Sequence, residues 1–182
     1  MPIDYNGVNV SNEHTYFAAS SNSISCPAST KSFFIIMGSE TKIIKISKIH
    51  LSGLTITARE YNSIVVRKIS SIPVGGTAAA LTKTPADKIS IDSTVSLCQT
   101  YSVTPTTDGT LVGTIQSNRS QIGDSNPVQG DPQSEILCDF RSYPESSGII
   151  LRGINDGVSV SFGSVPGSAI TLSLEIEWLE ID

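Results

Sequence analysis

The chain has 182 residues, 38% of them hydrophobic and only 16% charged, with a net charge of −5. That length buries a core in one domain without metals or disulfides, and no apolar run approaches the length of a membrane-spanning helix. The acidic balance, with no basic group larger than Lys42, Lys45 and Lys48 or Arg67-Lys68, excludes the concentrated positive face that DNA or RNA binding needs.

Met1-Pro2-Ile3-Asp4 has neither a basic region nor an apolar run, so no Sec-type signal peptide is expected and the product is expected to be made soluble in the cytoplasm. Residues 1–30 read as an irregular, extended arm. Ser20–Ser25 and Pro27–Thr30 are loop-like, and the apolar anchors are few: Val8, Val10, Tyr16 and Phe17. Two readings stay open, a frayed terminus or an arm that orders on a neighbouring subunit through those four residues.

From residue 31 to 182 the pattern predicts one β-sandwich domain. Phe33–Met37 is a short apolar run, read as a buried strand. In Lys42–Leu51, Ile44 and Ile46 share a face while Ile49 and Leu51 are out of phase with them. That one-residue slip predicts a β-bulge, with Lys45 and Lys48 outward. Leu54, Ile56 and Ala58 alternate, Arg59–Ser63 reads as a turn, and Ile64–Ile69 is a β-branched strand. Ala78–Leu81 is the one place where a helical turn is expected, too short to be stable alone. Ser93–Tyr101 predicts a strand with Val95, Leu97 and Tyr101 inward. Asp108-Gly109 signals a turn before the strand Thr110–Ile115, and residues 117–135 read as a long polar loop. Ile136–Phe140, Ile149–Arg152 and Val158–Phe162 are further short strands.

The clearest pattern comes last. Ile170, Leu172, Leu174, Ile176 and Trp178 recur at every second residue, with Thr171, Ser173, Glu175 and Glu177 between them. A strand of this kind puts the apolar set on one face, so these five are the predicted core anchors. Roughly nine or ten strands at intervals of about 8–15 residues, with no sustained helical period, predict an all-β antiparallel sandwich or barrel.

The search for chemistry is mostly subtractive. Cys26, Cys98 and Cys138 are odd in number and widely spaced, which suits buried thiols better than a disulfide framework. His14 and His50 are the only histidines, and no Cys pair has zinc-ligand spacing. Asp124, Asn126, Asp131 and Glu135 supply oxygens in the long loop without the spacing of a calcium loop. Gly163-Ser164-Val165-Pro166-Gly167 is a turn, not a nucleophile elbow, and Val74–Thr77 lacks the lysine and helix of a phosphate loop. Glu175 and Glu177 lie about 7 Å apart at Cα by strand rise, a glycosidase-like separation, yet on one exposed strand face. No residue is therefore assigned a catalytic, cofactor-binding or metal-binding role, and a structural or binding protein is expected in place of an enzyme.

Several pieces, in order, resemble a group of small β-sandwich proteins of tailed-bacteriophage structural gene sets. They are Ile46–Ala58, Ile64–Ser70 with Gly75–Thr77, Tyr101–Pro105 with Gly109–Gly113, Ile149–Gly153, and the closing Leu174–Glu180. The resemblance spans about residues 43–181. It implies a jelly-roll similar to the tumour-necrosis-factor-like trimers, and a virion decoration or head-accessory role. It implies a homo-trimer whose partners are the major capsid protein or other virion proteins, assembled in the host cytoplasm, with no cofactor, nucleic acid or membrane. The alternative kept open is a receptor- or carbohydrate-binding module of a fibre or tail, for which Tyr61, Tyr101 and Tyr143 are the candidate aromatic platform.

Overall fold

The computed structural model describes residues 15–55, 60–86, 92–122, 135–139, 148–167 and 170–182, with side chains at all of these except 22, 53–55, 60–62, 116–122 and 135–139. Among the described residues there are twelve strands and no helix. One sheet holds β1 (Thr15–Cys26), β3 (Ile43–Thr55), β6 (Thr84–Pro85), β9 (Glu135–Asp139), β10 (Ile149–Arg152) and β12 (Ile170–Ile181). Its order is β10-β3-β12-β1-β6, with β9 following β10 on the same side of β3. The other holds β2 (Ser32–Met37), β4 (Glu60–Ile69), β5 (Thr77–Ala80), β7 (Leu97–Val103), β8 (Leu111–Ile122) and β11 (Gly157–Phe162), in the order β5-β7-β2-β11-β4-β8.

All pairings are antiparallel. The chain changes sheet at every step from β1 to β4, pairs β4 with β8 in one sheet, then alternates again through β9/β10, β11 and β12. That is jelly-roll order: β9/β10-β3-β12-β1 faces β2-β11-β4-β8. Residues 70–110 are an insertion between β4 and β8. Its strands β5 and β7 widen the second sheet beyond β2, and its two-residue β6 pairs with β1.

The inner faces meet in one core. Phe17, Ile44, Ile46, Leu172, Ile176 and Trp178 come from the first sheet, and Phe34, Ile36, Val66, Val158, Val160 and Phe162 from the second. All five anchors on β12 are buried, and Trp178 stacks on Phe17 with ring centroids 5.8 Å apart and an interplanar angle of 15°. The β3 bulge falls at Ser47: Lys48 pairs with Glu177 while Ile46 pairs with the next residue, Trp178. That extra residue brings Ile49 and Leu51 back to the buried face shared by Ile44 and Ile46. On the open side of the sandwich, Lys68 of β4 reaches across to the carbonyl of Ile150 on β10 and pairs with Asp156 at 2.9 Å.

Five local expectations are corrected. Residues 15–26, read as part of the arm, form β1 inside the sheet, with Phe17, Ala19, Ile24 and Cys26 in the core. Residues 1–14, with Val8 and Val10, lie outside the described residues. Ala78–Ala80 is extended, because it pairs with β7 and one helical turn has too few hydrogen bonds to compete. Glu60–Ser63, read as a turn, belongs to β4, where it pairs with Arg119–Ile122. Residues 117–122, read as loop, continue β8 for the same reason, while 123–134 lie outside the described residues.

The fifth correction concerns Tyr101. It is buried, but on the outer face of the second sheet, in a small core of its own with Ile35, Met37 and Ile69, and with Leu97 partly buried against it. The insertion covers this face. Tyr101 donates to the carbonyl of Pro73 at 3.4 Å, and Val74 and Thr107 exchange backbone hydrogen bonds at 2.8 and 3.1 Å.

Candidate functional site

The outer face of the first sheet carries the charged residues of the terminal strand. The bulge at Ser47 sets Lys48 beside Glu177 and His50 beside Glu175 across the β3–β12 pair. Lys48 Nζ lies 2.6 Å from Glu175 Oε2 and 3.3 Å from Glu177 Oε1, and His50 Nδ1 is 3.5 Å from Glu175 Oε2. The lysine side chain is only 11% exposed, so both carboxylates close over it. Burial works against its charge, but hydrogen bonds to Glu175 and Glu177 outweigh that and raise its pKa. The same lysine holds the Glu175 carboxyl below its usual range. Held ionised by that cation, Glu175 does not supply the raised-pKa acid that glycoside hydrolysis needs.

Beside this cluster the same face turns apolar. Ile150, Lys45, Leu179 and Tyr16 form one cross-strand row, and Ile43 and Ile181 pair in the next. Tyr16 is 54% exposed, as a contact residue must be. Phe17, grouped with it as a partner contact, points to the opposite face and is consumed by packing on Trp178.

A second apolar surface lies on β8, the edge of the second sheet. Register shifts opposite Arg67 and Ile69 make Ile115 and Val112 bulged residues. Bulges on an edge strand twist it away from regular pairing, and here they turn large side chains to solvent. Leu111, Val112 and Ile115 are 57%, 64% and 39% exposed.

A buried carboxylate, absent from the sequence-derived candidates, closes the end of β12. Glu180 is 1% exposed and, among the described residues, has no cation partner; it accepts hydrogen bonds from Ser93 Oγ, the amide and hydroxyl of Thr94, and Trp178 Nε1. Residues 93–95, expected to begin a strand, are held instead against this carboxylate. The signal was available: period two carried past Trp178 puts Glu180 on the buried face.

Cys26 and Cys98 are free and buried, and burial pushes both thiols up, Cys98 to about 12, so neither is an activated nucleophile. Cys138 sits in β9. Among the described residues no three His, Cys, Asp or Glu side chains gather to hold a metal ion. Of the proposed aromatic platform, Tyr101 is buried, the Tyr61 side chain and Tyr143 lying outside the description. Among the described residues no helix is long and apolar enough to cross a membrane.

This geometry defines a jelly-roll β-sandwich with two apolar outer surfaces and an ion-paired cluster. No family model, no curated protein and no solved structure matches the chain.

Proposed function

We propose that this is a non-enzymatic structural protein that works by docking. In this reading it decorates or reinforces the head of a tailed phage, as a homo-trimer bound to the major capsid protein or other virion proteins. The observation that carries the docking part is a pair of apolar outer surfaces on different sides of one chain: the β8 knobs Leu111, Val112 and Ile115, and the exposed Tyr16 with the half-buried Ile150 in its cross-strand row. Two unlike patches on one chain suit a heterologous contact, which forms a ring of identical subunits when its rotation closes. The ionic cluster beside that row supplies a polar rim. The virion role rests on the ordered resemblance across residues 43–181. Buried thiols and carboxylates engaged by Lys48 support a role without catalysis.

Sedimentation of the purified protein, alone and with empty phage shells, tests both parts. A trimer that co-sediments with shells is expected, and Leu111→Asp with Ile115→Asp should return it to monomer while preserving the fold. A monomer that never co-sediments removes the decoration reading.

A further inference from the structure

The outer face of the second sheet holds two buried serine hydroxyls. Ser159 and Ser161 lie on β11, the two residues almost fully buried, and among the described residues neither Oγ has a hydrogen-bond partner. Both point to the same face. In register, Ser159 lies between Ile35 of β2 and Arg67 of β4, and Ser161 between Ser32 of β2 and Val65 of β4.

Asp108 lies over the same place. It accepts from Ser32 Oγ at 2.6 Å through Oδ1, and its Oδ2 is 3.9 Å from Arg67 Nη1. Ser32 and Arg67 belong to the strands on either side of β11, and Asp108 contacts both, which sets its carboxylate on the face that carries the serine pair. The segment 104–110 that carries it is a strap. Lys31 Nζ donates to the carbonyls of Pro105 and Thr106, Thr107 bridges Val74, and the Thr110 carbonyl accepts from Ser70 N at 2.9 Å.

We infer that the strap closes over a hydrated site, in which ordered water links the Ser159 and Ser161 hydroxyls to the Asp108 carboxylate, and that Asp108 is its latch. Burying two hydroxyls dry is costly, whereas a water with two to four polar partners satisfies them. Serine, carboxylate and guanidinium supply both donors and acceptors around such a water. Elsewhere on this face Ile35, Met37 and Ile69 pack with Tyr101, whose hydroxyl is bonded to Gln99 and to the Pro73 carbonyl. A water layer makes the strap easier to lift than the sandwich is to unfold.

Three measurements decide this. A crystal structure that resolves solvent should show at least one ordered water within hydrogen-bond distance of Ser159 or Ser161 Oγ beneath Asp108. Hydroxyls that are dry, or bonded directly to protein, overturn the inference. In hydrogen exchange, Asp108→Ala should speed exchange of the Val74 and Thr107 amides by about tenfold or more, since a charged hydrogen bond is lost, while β3 and β12 amides keep their rates. Unchanged rates, or equal acceleration throughout, refute the latch. The double variant Ser159→Ala with Ser161→Ala should lower the denaturation midpoint if the hydroxyls are bridged by water. A raised midpoint means they were unsatisfied, and also refutes it.

Discussion

Glu180→Gln keeps the side chain's shape and removes its charge and one acceptor. Oε1 accepts from Ser93 Oγ at 2.6 Å, Thr94 N at 3.1 Å and Trp178 Nε1 at 3.2 Å, and Oε2 accepts from Thr94 N at 3.0 Å and Thr94 Oγ1 at 2.6 Å. An amide group in the Oε2 place faces the Thr94 N–H donor to donor, although the Thr94 hydroxyl can turn to accept. Hydrogen bonds to a charged group contribute about 1.5–3 kcal/mol and neutral ones about 1 kcal/mol, so weakening the set and crowding one donor costs about 3 kcal/mol. The loss depends on pH. Burial alone raises this carboxyl, but the bonds from Ser93, Thr94 and Trp178 outweigh it and hold the pKa below the usual range. With the folded pKa depressed, the contribution is complete above the unfolded pKa and is lost as pH falls through the folded one. Urea denaturation followed by fluorescence reads this directly, because Trp178 is the only tryptophan and touches the carboxylate. The gap between wild type and variant should be about 3 kcal/mol at neutral pH and should narrow in acid as the wild type protonates. A gap under about 0.5 kcal/mol at neutral pH, or one that stays constant in acid, refutes the reasoning.

Trp178→Ala should cost about 3–5 kcal/mol in the same assay, since the indole is buried and stacked on Phe17; a near-neutral result means the apolar face of β12 is not a folding core. Lys48→Met leaves Glu175 and Glu177 without their shared cation, and should cost about 1–2 kcal/mol, discounted for the exposure of the carboxylates. That loss should shrink as pH falls through the depressed Glu175 pKa, and a pH-independent loss would assign the effect to packing. Cys26 and Cys98 should resist a thiol reagent at neutral pH until denaturant unfolds the sandwich; labelling of either in native protein contradicts their burial.

What could be read from the sequence depended on how each strand meets its neighbours. β12 was legible over Ile170–Trp178 because one face is wholly apolar and the other polar. The slip between Ile46 and Ile49 revealed the β3 bulge for the same reason. β1 was missed because its own irregularity falls between Ser21 and Ile24. It splits the alternation into two short pairs, Phe17 with Ala19 and Ile24 with Cys26, set among Ser and Asn that read as loop. The far half of β8 was missed because an edge strand does not need an apolar side, and Gln116–Ile122 gives no period. The second core behind β2 was invisible because Phe33–Met37 is apolar throughout, so the run does not tell which residues face which sheet side. Of the surface features, the Glu175–Glu177 pair was legible as charges on one face. Its fixation by Lys48 required the cross-strand register, which the sequence does not carry.

The recovery of β1 also changes how the strongest strand is held. β12 lies between β3 and β1, so it is hydrogen-bonded on both sides, and one of those sides comes from the beginning of the chain. Without β1, β12 would be an edge, Trp178 would lose the ring it stacks on, and Ala19, Ile24 and Cys26 would leave the core. Residues 15–26 are therefore part of what makes the sandwich stable, and a partner-binding role for them is confined to outward positions such as Tyr16. Pairing of residue 15 with residue 180 also means that this sheet completes only when residues 15–26 and 170–181 are both present. β3 meets β12 across a comparable sequence separation, Ile43 with Ile181, so loop closure weighs about equally on both sides of β12.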